Sequence, residues 1–417
     1  MAEGGRIAII GAGVVGTSTA LFLQADGHDV TLIDPREPGS GTSSGNAGII
    51  SPGSCIPVAT PGTLKRVPAM LLDPTSPLAV RWSCLPRLLP WLTRFVLASR
   101  PDQVAASEKA LLSLVSRAAR EHDVLIQRTG AGDLVHRVGW LKVASSAESL
   151  RAHLGGDIAA YERLGVAHQV LAEGESLELE PALHPRLRHG LLMPLNRAIR
   201  HPQRYVGRFA ATFLAEGGRH LAASATGLRR QGGRVTAVET DRGPVEADHV
   251  VLCAGALSKR LAAEGGARVP LDAERGYHAM LPHPARTLSR PVYLAEHQFV
   301  LAPMEHGIRL TGGVELASPT APPDWRRLRR LVPIARDALP GLDGAVQSEW
   351  LGFRPSTPDS RPVLGRAPDL ANFWLAFGHQ HIGMTLGPVT GRIVADLIAG
   401  RDPGVDLAPF RPDRRYW

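Results

Sequence analysis

The most regular pattern of apolar and polar positions lies within the first 34 residues. Apolar runs at Arg6–Ile10 and Asp29–Ile33 predict two parallel strands, and Val14–Ala25 predicts a helix between them. The first strand leads into the turn GAGVVG, and Asp34 follows the second strand, about twenty residues after these glycines. Together these features predict a dinucleotide site, with the diphosphate on the helix N-terminus and the ribose on Asp34.

A glycine- and serine-rich segment, 35–53, follows where a nicotinamide-binding domain usually continues with a helix and a strand. Small residues let the backbone approach a flat or anionic ligand, so the segment is interpreted as a cofactor contact rather than as a solvent loop. The glycines of the first turn do not distinguish a nicotinamide from a flavin. That distinction depends on residues further along the chain.

The remaining pattern alternates between helical and strand-like stretches. It predicts helices at 103–129, Ala147–Leu164 and 203–216, a hairpin at 132–145, and strands at 234–238, 249–253, 277–281, 292–302 and 308–315. This mixture predicts an α/β (α+β mixed) fold with its functional site at the seam of two domains. The predicted domains are a Rossmann-like cofactor domain built from discontinuous segments, 1–130, 190–265 and 345–417, and an antiparallel-sheet substrate domain, 131–189 and 266–344.

Composition and charge narrow the classes of function. The 417 residues carry a formal charge of +8, but only four of the 47 basic residues are lysines and no dense basic run occurs, which argues against nucleic-acid binding. Cys55, Cys84 and Cys253 match no metal or redox spacing and are expected to be reduced thiols. The uncharged stretch 7–25 lacks a basic leader and a cleavage site, so a cytoplasmic location is expected.

One stretch leaves open whether the protein contacts a membrane. Residues 64–100 are rich in Pro, Trp and Arg, and 85–97 form a basic amphipathic pattern. A helix packed on the domain is the favoured interpretation, and peripheral contact with the inner face of the cytoplasmic membrane is the alternative. The residues expected to make that contact are Trp82, Arg87, Trp91, Arg94 and Phe95.

The C-terminal region distinguishes the two cofactors. Residues 374–400 predict a strand, a turn at Gly378 and a helix that begins near Gly383. A helix N-terminus carries partial positive charge and unpaired N–H groups. At the pyrimidine end of an isoalloxazine ring it would stabilise the anionic reduced flavin, whereas a nicotinamide gains no such charge on reduction. The pattern therefore favours a resident flavin.

Seven segments resemble one family, and they occur in the family's order. They are IIGAGVVG, TSSGNAGIISPG, ELEPAL, VVLCAGALS, RGYH, GFRPSTPDSRPVLG and GHQHIGMTLGPVTG. On these segments the chain resembles the D-amino-acid oxidase superfamily of FAD-dependent amine oxidoreductases, and within it the bacterial D-amino-acid dehydrogenases. The resemblance implies tightly but non-covalently held FAD, oxidation of a Cα–N bond and, often, electron delivery to a membrane quinone. Asp34, Leu257 and the stretch 191–202 depart from the usual pattern and leave the substrate subtype open.

The resemblance assigns cofactor contacts residue by residue. The predicted set is Gly11, Gly13, Val14, Val15, Gly16, Asp34, Pro35, Arg36, Thr42, Ser43, Ser44, Asn46, Ala47, Gly48, Ile49, Ala225, Ala254, Gly255, Gly352, Arg354, Gly378, His379, Gln380, His381, Ile382, Gly383, Met384 and Thr385. His379 and His381 are interpreted as pocket or flavin-edge residues. No metal site is predicted, because this H-x-H lacks cysteine or acidic companions.

Oxidation by hydride transfer requires a fixed substrate carboxylate, a neutral amine and the Cα hydrogen over the flavin. A guanidinium suits the carboxylate because it forms two parallel hydrogen bonds with it. By resemblance, Arg354 of GFRP is the first choice for this anchor and Arg309 the second. Tyr277 is expected to offer its hydroxyl to the carboxylate, and His278 to assist deprotonation of the amine; the alternatives are a core aromatic and a structural histidine.

The resulting hypothesis is an FAD-dependent dehydrogenase acting on a D-amino acid, or on a cyclic D-imino acid such as D-hydroxyproline or D-proline. The imine product hydrolyses to a keto acid and ammonia unless it is cyclic, and the electrons are expected to pass to a quinone. Glycine or sarcosine oxidation with oxygen is the nearest alternative. A non-catalytic FAD-holding subunit and an NAD-dependent dehydrogenase are the other two.

Overall fold

The computed structural model describes residues 4–73 and 75–416. Their helices are α1 (Val14–Ala25), α2 (Pro61–Leu72), α3 (Leu85–Ala98), α4 (Pro101–Val115), α5 (Ala118–Thr129), α6 (Ala147–Leu164), α7 (Glu175–Leu179), α8 (Pro202–Ala215), α9 (Ser258–Glu264), α10 (Trp325–Ala338) and α11 (Gly383–Ile398). Short 3-10 helices lie at Trp82–Cys84, Ala131–Leu134, Gly255–Leu257, Gln380–Ile382 and Ala408–Phe410.

The strands belong to four sheets. They are β1 (Arg6–Ile10), β2 (Asp29–Ile33), β3 (Ile49–Ile50), β4 (Leu78–Val80), β5 (Val135–His136), β6 (Trp140–Ala144), β7 (Gln169–Val170), β8 (His189–Met193), β9 (Arg197–Ile199), β10 (Arg219–Leu221), β11 (Ala225–Gln231), β12 (Arg234–Thr240), β13 (Val245–Glu246), β14 (His249–Leu252), β15 (Asp272–Leu281), β16 (Val292–Leu294), β17 (Phe299–Met304), β18 (Gly307–Leu316), β19 (Ser348–Ser356), β20 (Val363–Arg366) and β21 (Phe373–Phe377).

A six-stranded sheet in the order β10-β2-β1-β14-β21-β20 forms the cofactor side of the molecule. Its first five strands are parallel, and β20 is antiparallel to β21. The predicted strand, helix and strand at the start of the chain are confirmed with identical bounds. Because the carboxyl ends of parallel strands share one edge, the turn after β1, Asp34 after β2 and the turn after β21 meet there.

Close packing of α1 against α11 places two helix N-termini at this edge. A Cβ added at Gly387 would lie 2.7 Å from the Val14 side chain, and one at Gly391 would lie 2.8 Å from the Ser18 backbone. These contacts advance in the same direction along both helices, so the helices are parallel. The N-terminus of α11 therefore lies beside that of α1, about one turn further out.

A second, nine-stranded sheet forms the other side of the seam. Its order is β19-β15-β18-β17-β16-β6-β8-β7, with β4 paired to β18, and only the β16–β6 and β18–β4 pairs are parallel. The apolar side of α10, including Leu328 and Val332, packs with residues of this sheet in one buried cluster. The expected α/β fold with a mainly antiparallel second sheet is confirmed.

Three local predictions are wrong. The 132–145 hairpin does not form, because β5 pairs with β9 while β6 pairs with β8 and β16. The 292–302 stretch is two strands, β16 and β17, joined by a turn in which Gln298 has a φ of +54°. The 103–129 helix is two helices, α4 and α5, separated at residues 116–117. Alternation and helical spacing indicate which face of an element is buried. They identify neither the strand that pairs with it nor the residue at which a helix ends.

Sheet membership also corrects the assignment of some segments to domains. Strands β4, β8 and β19 pair in the nine-stranded sheet, although the sequence pattern placed nearly all of their residues in the cofactor domain. The remaining domain boundaries stay predictions.

The packing of α1 on α11 gives a first prediction. Gly391→Val should lower the free energy of unfolding by about 1–3 kcal/mol, because its side chain would overlap the Ser18 backbone. Urea unfolding measures this change, and absorbance of the purified protein measures the retained FAD, which should also decrease. In the control Gly156→Ala, on α6, the new methyl group meets nothing within 4 Å and stability should be unchanged or higher. Wild-type stability of Gly391→Val would contradict this account of the packing.

Candidate active site

The glycine turn after β1 is shaped for close approach of a ligand. Gly11 has a φ of +106°, and a Cβ there would lie 2.6 Å from the carbonyl oxygen of Cys253. A Cβ at Gly16 would overlap the Gly11 carbonyl. Ser43 Oγ accepts a hydrogen bond from Val14 N–H at 3.1 Å, so the glycine-rich segment returns to the N-terminus of α1. These features fit the diphosphate of FAD.

Asp34 is held in the orientation expected for a ribose ligand. Its Oδ2 accepts from Ala12 N–H and its Oδ1 from Arg36 N–H, both at 3.0 Å. The carboxylate is thus fixed next to the glycine turn by backbone donors. Its remaining lone pairs can accept the two ribose hydroxyls.

Arg309 ties the small-residue segment to the nine-stranded sheet. Its Nη1 donates to the carbonyl oxygens of Ser44 at 2.9 Å and Asn46 at 2.6 Å, and Thr42 Oγ1 donates to the Phe353 carbonyl at 3.1 Å. Burial lowers the pKa of Arg309 to about 10, so it remains charged at neutral pH. These bonds correct the expectation that Arg309 is a second carboxylate anchor, because its guanidinium positions the loop. Within the described residues, its buried Nε has no hydrogen-bond partner.

The start of α11 is rigidly supported. Gly378 has a φ of +86° and Gln380 a φ of +46°, and Gln380 Nε2 donates to the Thr357 carbonyl at 3.0 Å. Thr385 Oγ1 accepts from Ser51 N–H at 3.0 Å. The residue preceding the helix, Ile382, provides no side-chain cap, so the first N–H groups of α11 remain suited to the pyrimidine edge of a flavin.

The two histidines of the turn have different surroundings. His379 is buried, and its Nε2 lies 2.8 Å from Thr390 Oγ1 of α11, so it fixes the turn. His381 is exposed, yet desolvation by the surrounding protein and the charge of Arg354 lower its pKa to about 4. A side chain that solvent can reach, but that has protein around it on most sides, is typical of the wall of a cleft. His381 therefore lies at the seam, near Arg354.

Three cross-strand pairs of β15 and β19 form the facing surface: Glu274 with Arg354, Gly276 with Gly352, and His278 with Trp350. A Cβ at Gly276 would lie 2.6 Å from the Arg354 guanidinium, and a Cβ at Gly352 would overlap the Trp350 ring. The two glycines thus make room for the two large side chains to lie along the sheet. We call these six residues the platform.

The ends of the platform carry different chemistry. Arg354 Nη1 donates to the Gly313 carbonyl at 2.8 Å. At the other end, Trp350 stacks on His278 with ring centroids 5.0 Å apart and also covers Gly45 of the cofactor segment. Burial, aided by the charge of Arg309, lowers the pKa of His278 to about 3, so this histidine is neutral at pH 7.

Tyr277 does not occupy the position expected of it. Its hydroxyl bonds to Glu315 and accepts from Asp324 N–H, and its ring contacts Trp325 edge-on. Arg81 and Arg275 pair with the same Glu315. Successive residues of a strand point to opposite faces, so Tyr277 lies in the core beneath the platform while His278 lies on it. This placement corrects the prediction of a hydroxyl facing the substrate.

The other predicted cofactor residues lie at the ends of strands of several sheets and at the starts of helices. Val14 and Val15 begin α1, Pro35 and Arg36 follow Asp34, Ala47, Gly48 and Ile49 lead into β3, Ala225 begins β11, and Ala254 and Gly255 follow β14. Gly383 and Met384 begin α11. Their contacts with FAD remain predictions.

Sequence reasoning missed Glu274, Gly276 and Trp350. The signal was present in the spacing of WLGFR, since Trp350, Gly352 and Arg354 alternate onto one strand face. Glu274 and Gly276 required the pairing register of β15 with β19, which the chain does not reveal by itself.

Comparison with known proteins agrees with this site. A family model described as FAD-dependent oxidoreductase (DAO) matches residues 6–397. A D-amino-acid oxidase of Bradyrhizobium diazoefficiens is 38% identical over 99% of this chain and 100% of its own, and a D-amino acid dehydrogenase of Chromohalobacter salexigens is 30% identical over 96% and 97%. The structure of a glycine oxidase from Geobacillus kaustophilus has a TM-score of 0.75, with 24% identity and 99% of both chains covered.

The extent of these matches excludes the nicotinamide alternative. The family model spans nearly the whole chain, and the fold brings a glycine turn, the Asp34 carboxylate and a helix without a side-chain cap to one edge of the six-stranded sheet. The chain belongs to the DAO family of FAD-dependent oxidoreductases, and it is an enzyme that uses FAD.

Proposed function

We propose that this enzyme oxidises the Cα–N bond of a D-amino acid, or of a cyclic D-imino acid such as D-proline or D-hydroxyproline, and passes the electrons to a quinone. The observation that supports the proposal most directly is the small number of polar contacts that the Arg354 guanidinium makes. Within residues 4–73 and 75–416 it makes no ion pair, and its one hydrogen bond is to the Gly313 carbonyl. The rest of its guanidinium is available for a substrate carboxylate.

FAD, when bound, supplies the acceptor for the hydride that leaves the substrate Cα. The chain's own residues provide orientation and a dry surface. Arg354 fixes the carboxylate above the glycines of the platform, and Trp350 closes the opposite end. The neutral imidazoles of His278 and His381 add no competing positive charge.

The names of the relatives support two acceptors, since one is an oxidase and another a dehydrogenase. We favour a quinone because of the surface around α3. Of the eleven exposed large hydrophobic residues in the described part of the chain, six lie between 71 and 97: Leu71, Leu72, Trp82, Leu89, Val96 and Leu97. We call these six the apolar patch.

Basic residues lie on the other side of α3 from Leu89 and Val96. A groove of about 800 Å³ runs along that side, lined by six basic residues, Arg87, Arg94, Lys259, Arg268, Arg414 and Arg415, and by the acidic residues Asp272 and Asp413. A helix that carries both exposed apolar side chains and basic residues suits the surface of an anionic bilayer. The proposed location is therefore the inner face of the cytoplasmic membrane. No helix among the described residues is long and apolar enough to cross a bilayer.

The structure revises the residues proposed for this contact. Trp91 is buried, stacks on Phe95 and donates to the Ser356 carbonyl at 3.3 Å, so it packs α3 on the protein. Arg87 pairs with Asp272. Leu89 and Val96, two turns apart on α3, are better candidates because they lie on its exposed side.

The experiment that tests the activity is anaerobic mixing of the FAD-loaded enzyme with D- and L-amino acids, glycine and sarcosine. We expect a D-amino acid or cyclic D-imino acid to bleach the flavin absorbance fastest. Arg354→Ala should raise the substrate concentration needed for half-maximal reduction about tenfold or more, through loss of a charged hydrogen-bond partner. Gly276→Ala should act in the same direction, because its methyl group displaces the guanidinium.

Other results would select an alternative function. Faster reduction by glycine or sarcosine, with hydrogen peroxide formed in air, would favour an oxygen-using amine oxidase. An absence of bleaching by every amine would favour a non-catalytic FAD-holding subunit. Unchanged reduction kinetics in Arg354→Ala would remove Arg354 from the proposed role.

Membrane contact gives a separate prediction. Replacing Leu89 and Val96 together by Ser should lower binding to vesicles of phosphatidylglycerol and phosphatidylethanolamine about tenfold, because two apolar side chains no longer insert. Co-sedimentation measures bound protein, and reduction of a quinone in the vesicles should fall with it. Flavin reduction by substrate should not change. The control Leu214→Ser alters an exposed leucine on α8, and equal binding of both variants would refute the contact.

A further inference from the structure

Glu274 is a buried carboxyl group beside the arginine that we assign to the substrate. It lies directly across from Arg354 in the β15–β19 pairing, and only 6% of it is exposed. No ion pair joins the two side chains within the described residues, since the guanidinium turns toward Gly276 and the Gly313 carbonyl. A buried carboxylate and guanidinium therefore lie side by side without neutralising each other directly.

Such an arrangement is costly unless a ligand completes it. Desolvation penalises each buried charge, and a direct ion pair would offset that penalty. Residues directly opposite on antiparallel strands have Cα atoms about 4.5–5.5 Å apart. An α-amino acid carries its carboxylate and its ammonium on one carbon, so a guanidinium and a carboxyl group that are neighbours on one face of a sheet can each contact one of the two groups. The pair is complementary in charge to that zwitterion.

Resting on the proposed function, we propose that Glu274 binds the substrate ammonium group and accepts one of its protons, while Arg354 binds the substrate carboxylate. The proton passes from nitrogen to the Glu274 carboxylate, which leaves a lone pair on the amine. That lone pair becomes part of the C=N bond as the Cα hydrogen leaves with its electron pair to FAD. The proton on Glu274 returns to solvent when the imine departs. The preferred ligand class is thus a carboxylic acid with an ionisable α-amine.

The groups around Glu274 make it the better proton acceptor of the site. It faces Arg354 and the Ser356 hydroxyl of β19, together with Asp272 of its own strand, which pairs with Arg87 of α3. Glu315 of β18 bonds to Tyr277 and Arg275 on the opposite face. Burial outweighs Arg354 and Ser356 and raises the pKa of Glu274, whereas the pKa of His278 falls to about 3. A carboxylate of raised pKa accepts a proton more readily than this imidazole.

The test compares ligands with and without the amine on FAD-loaded wild type and Glu274→Gln. The pairs are D-alanine with propionate, and D-proline with tetrahydrofuran-2-carboxylate. For the amino acid that reduces the flavin, Glu274→Gln should lower the second-order rate of anaerobic reduction about tenfold or more. Its affinity for the matching carboxylate should be unchanged or higher, because a negative charge beside Arg354 has been removed. Flavin absorbance on titration gives that affinity.

A merely structural role predicts a different result. If Glu274 only supported Arg354, both members of a pair would bind more weakly in Glu274→Gln, and this result would overturn the proposal. Equal reduction rates in variant and wild type would also overturn it. Glu239→Gln is the control: it removes a partly exposed carboxylate of β12 that pairs with Arg229 outside the platform, and it should keep wild-type rates.

The pH dependence of flavin reduction, compared between wild type and Glu274→Gln, gives a second test. The base form of Glu274 increases as the pH rises through its raised pKa, so reduction should slow as the pH falls through that pKa. The affinity for the carboxylate that lacks an amine should not fall with pH in this way. The decrease in the rate of flavin reduction at low pH should be absent in Glu274→Gln. A reduction rate that is independent of pH on the acid side would overturn the proposal. If no amine bleaches the flavin but propionate still binds, the proposed function fails while the carboxylate site stands.

Discussion

The contact between α1 and α11 is the constraint on which the rest of the site depends. Two glycines of α11, Gly387 and Gly391, let the helices approach until side chain and backbone touch. The parallel contact brings both helix N-termini to the edge where β1, β14 and β21 end. One helix can then face a diphosphate while the other faces the pyrimidine of the same FAD.

The platform forms the opposite wall of the site, and its two central glycines leave room for charged side chains. Gly276 and Gly352 occupy the centre of the platform, so the long side chains beside them lie flat along the sheet. A guanidinium and a carboxyl group then occupy one end and a stacked aromatic pair the other. In the proposed function the polar end binds an amino-acid head group, and the aromatic end closes the opposite side of the platform.

Short-range pattern predicted the cofactor half well and the substrate half less well. The bounds of β1, α1 and β2 follow from residues within one continuous segment, and so does the helix that begins at Gly383. The failed hairpin at 132–145 and the misplacement of Tyr277 have another origin. Both depend on which distant strand is the neighbour, and alternation along one strand is compatible with several neighbours. Glu274 and Trp350 became visible as site residues only with the β15–β19 register.

The hydrogen bonds of Arg309 couple two movements, which are outward displacement of the glycine- and serine-rich segment and separation of the two large sheets. One guanidinium on the nine-stranded sheet binds two consecutive turns of the segment that returns to α1, through Ser44 and Asn46. The segment cannot swing outward while these bonds remain, and the sheets cannot part without breaking them. Outward movement of this segment and separation of the two sheets at this point therefore break the same two hydrogen bonds, so neither movement is independent of the other.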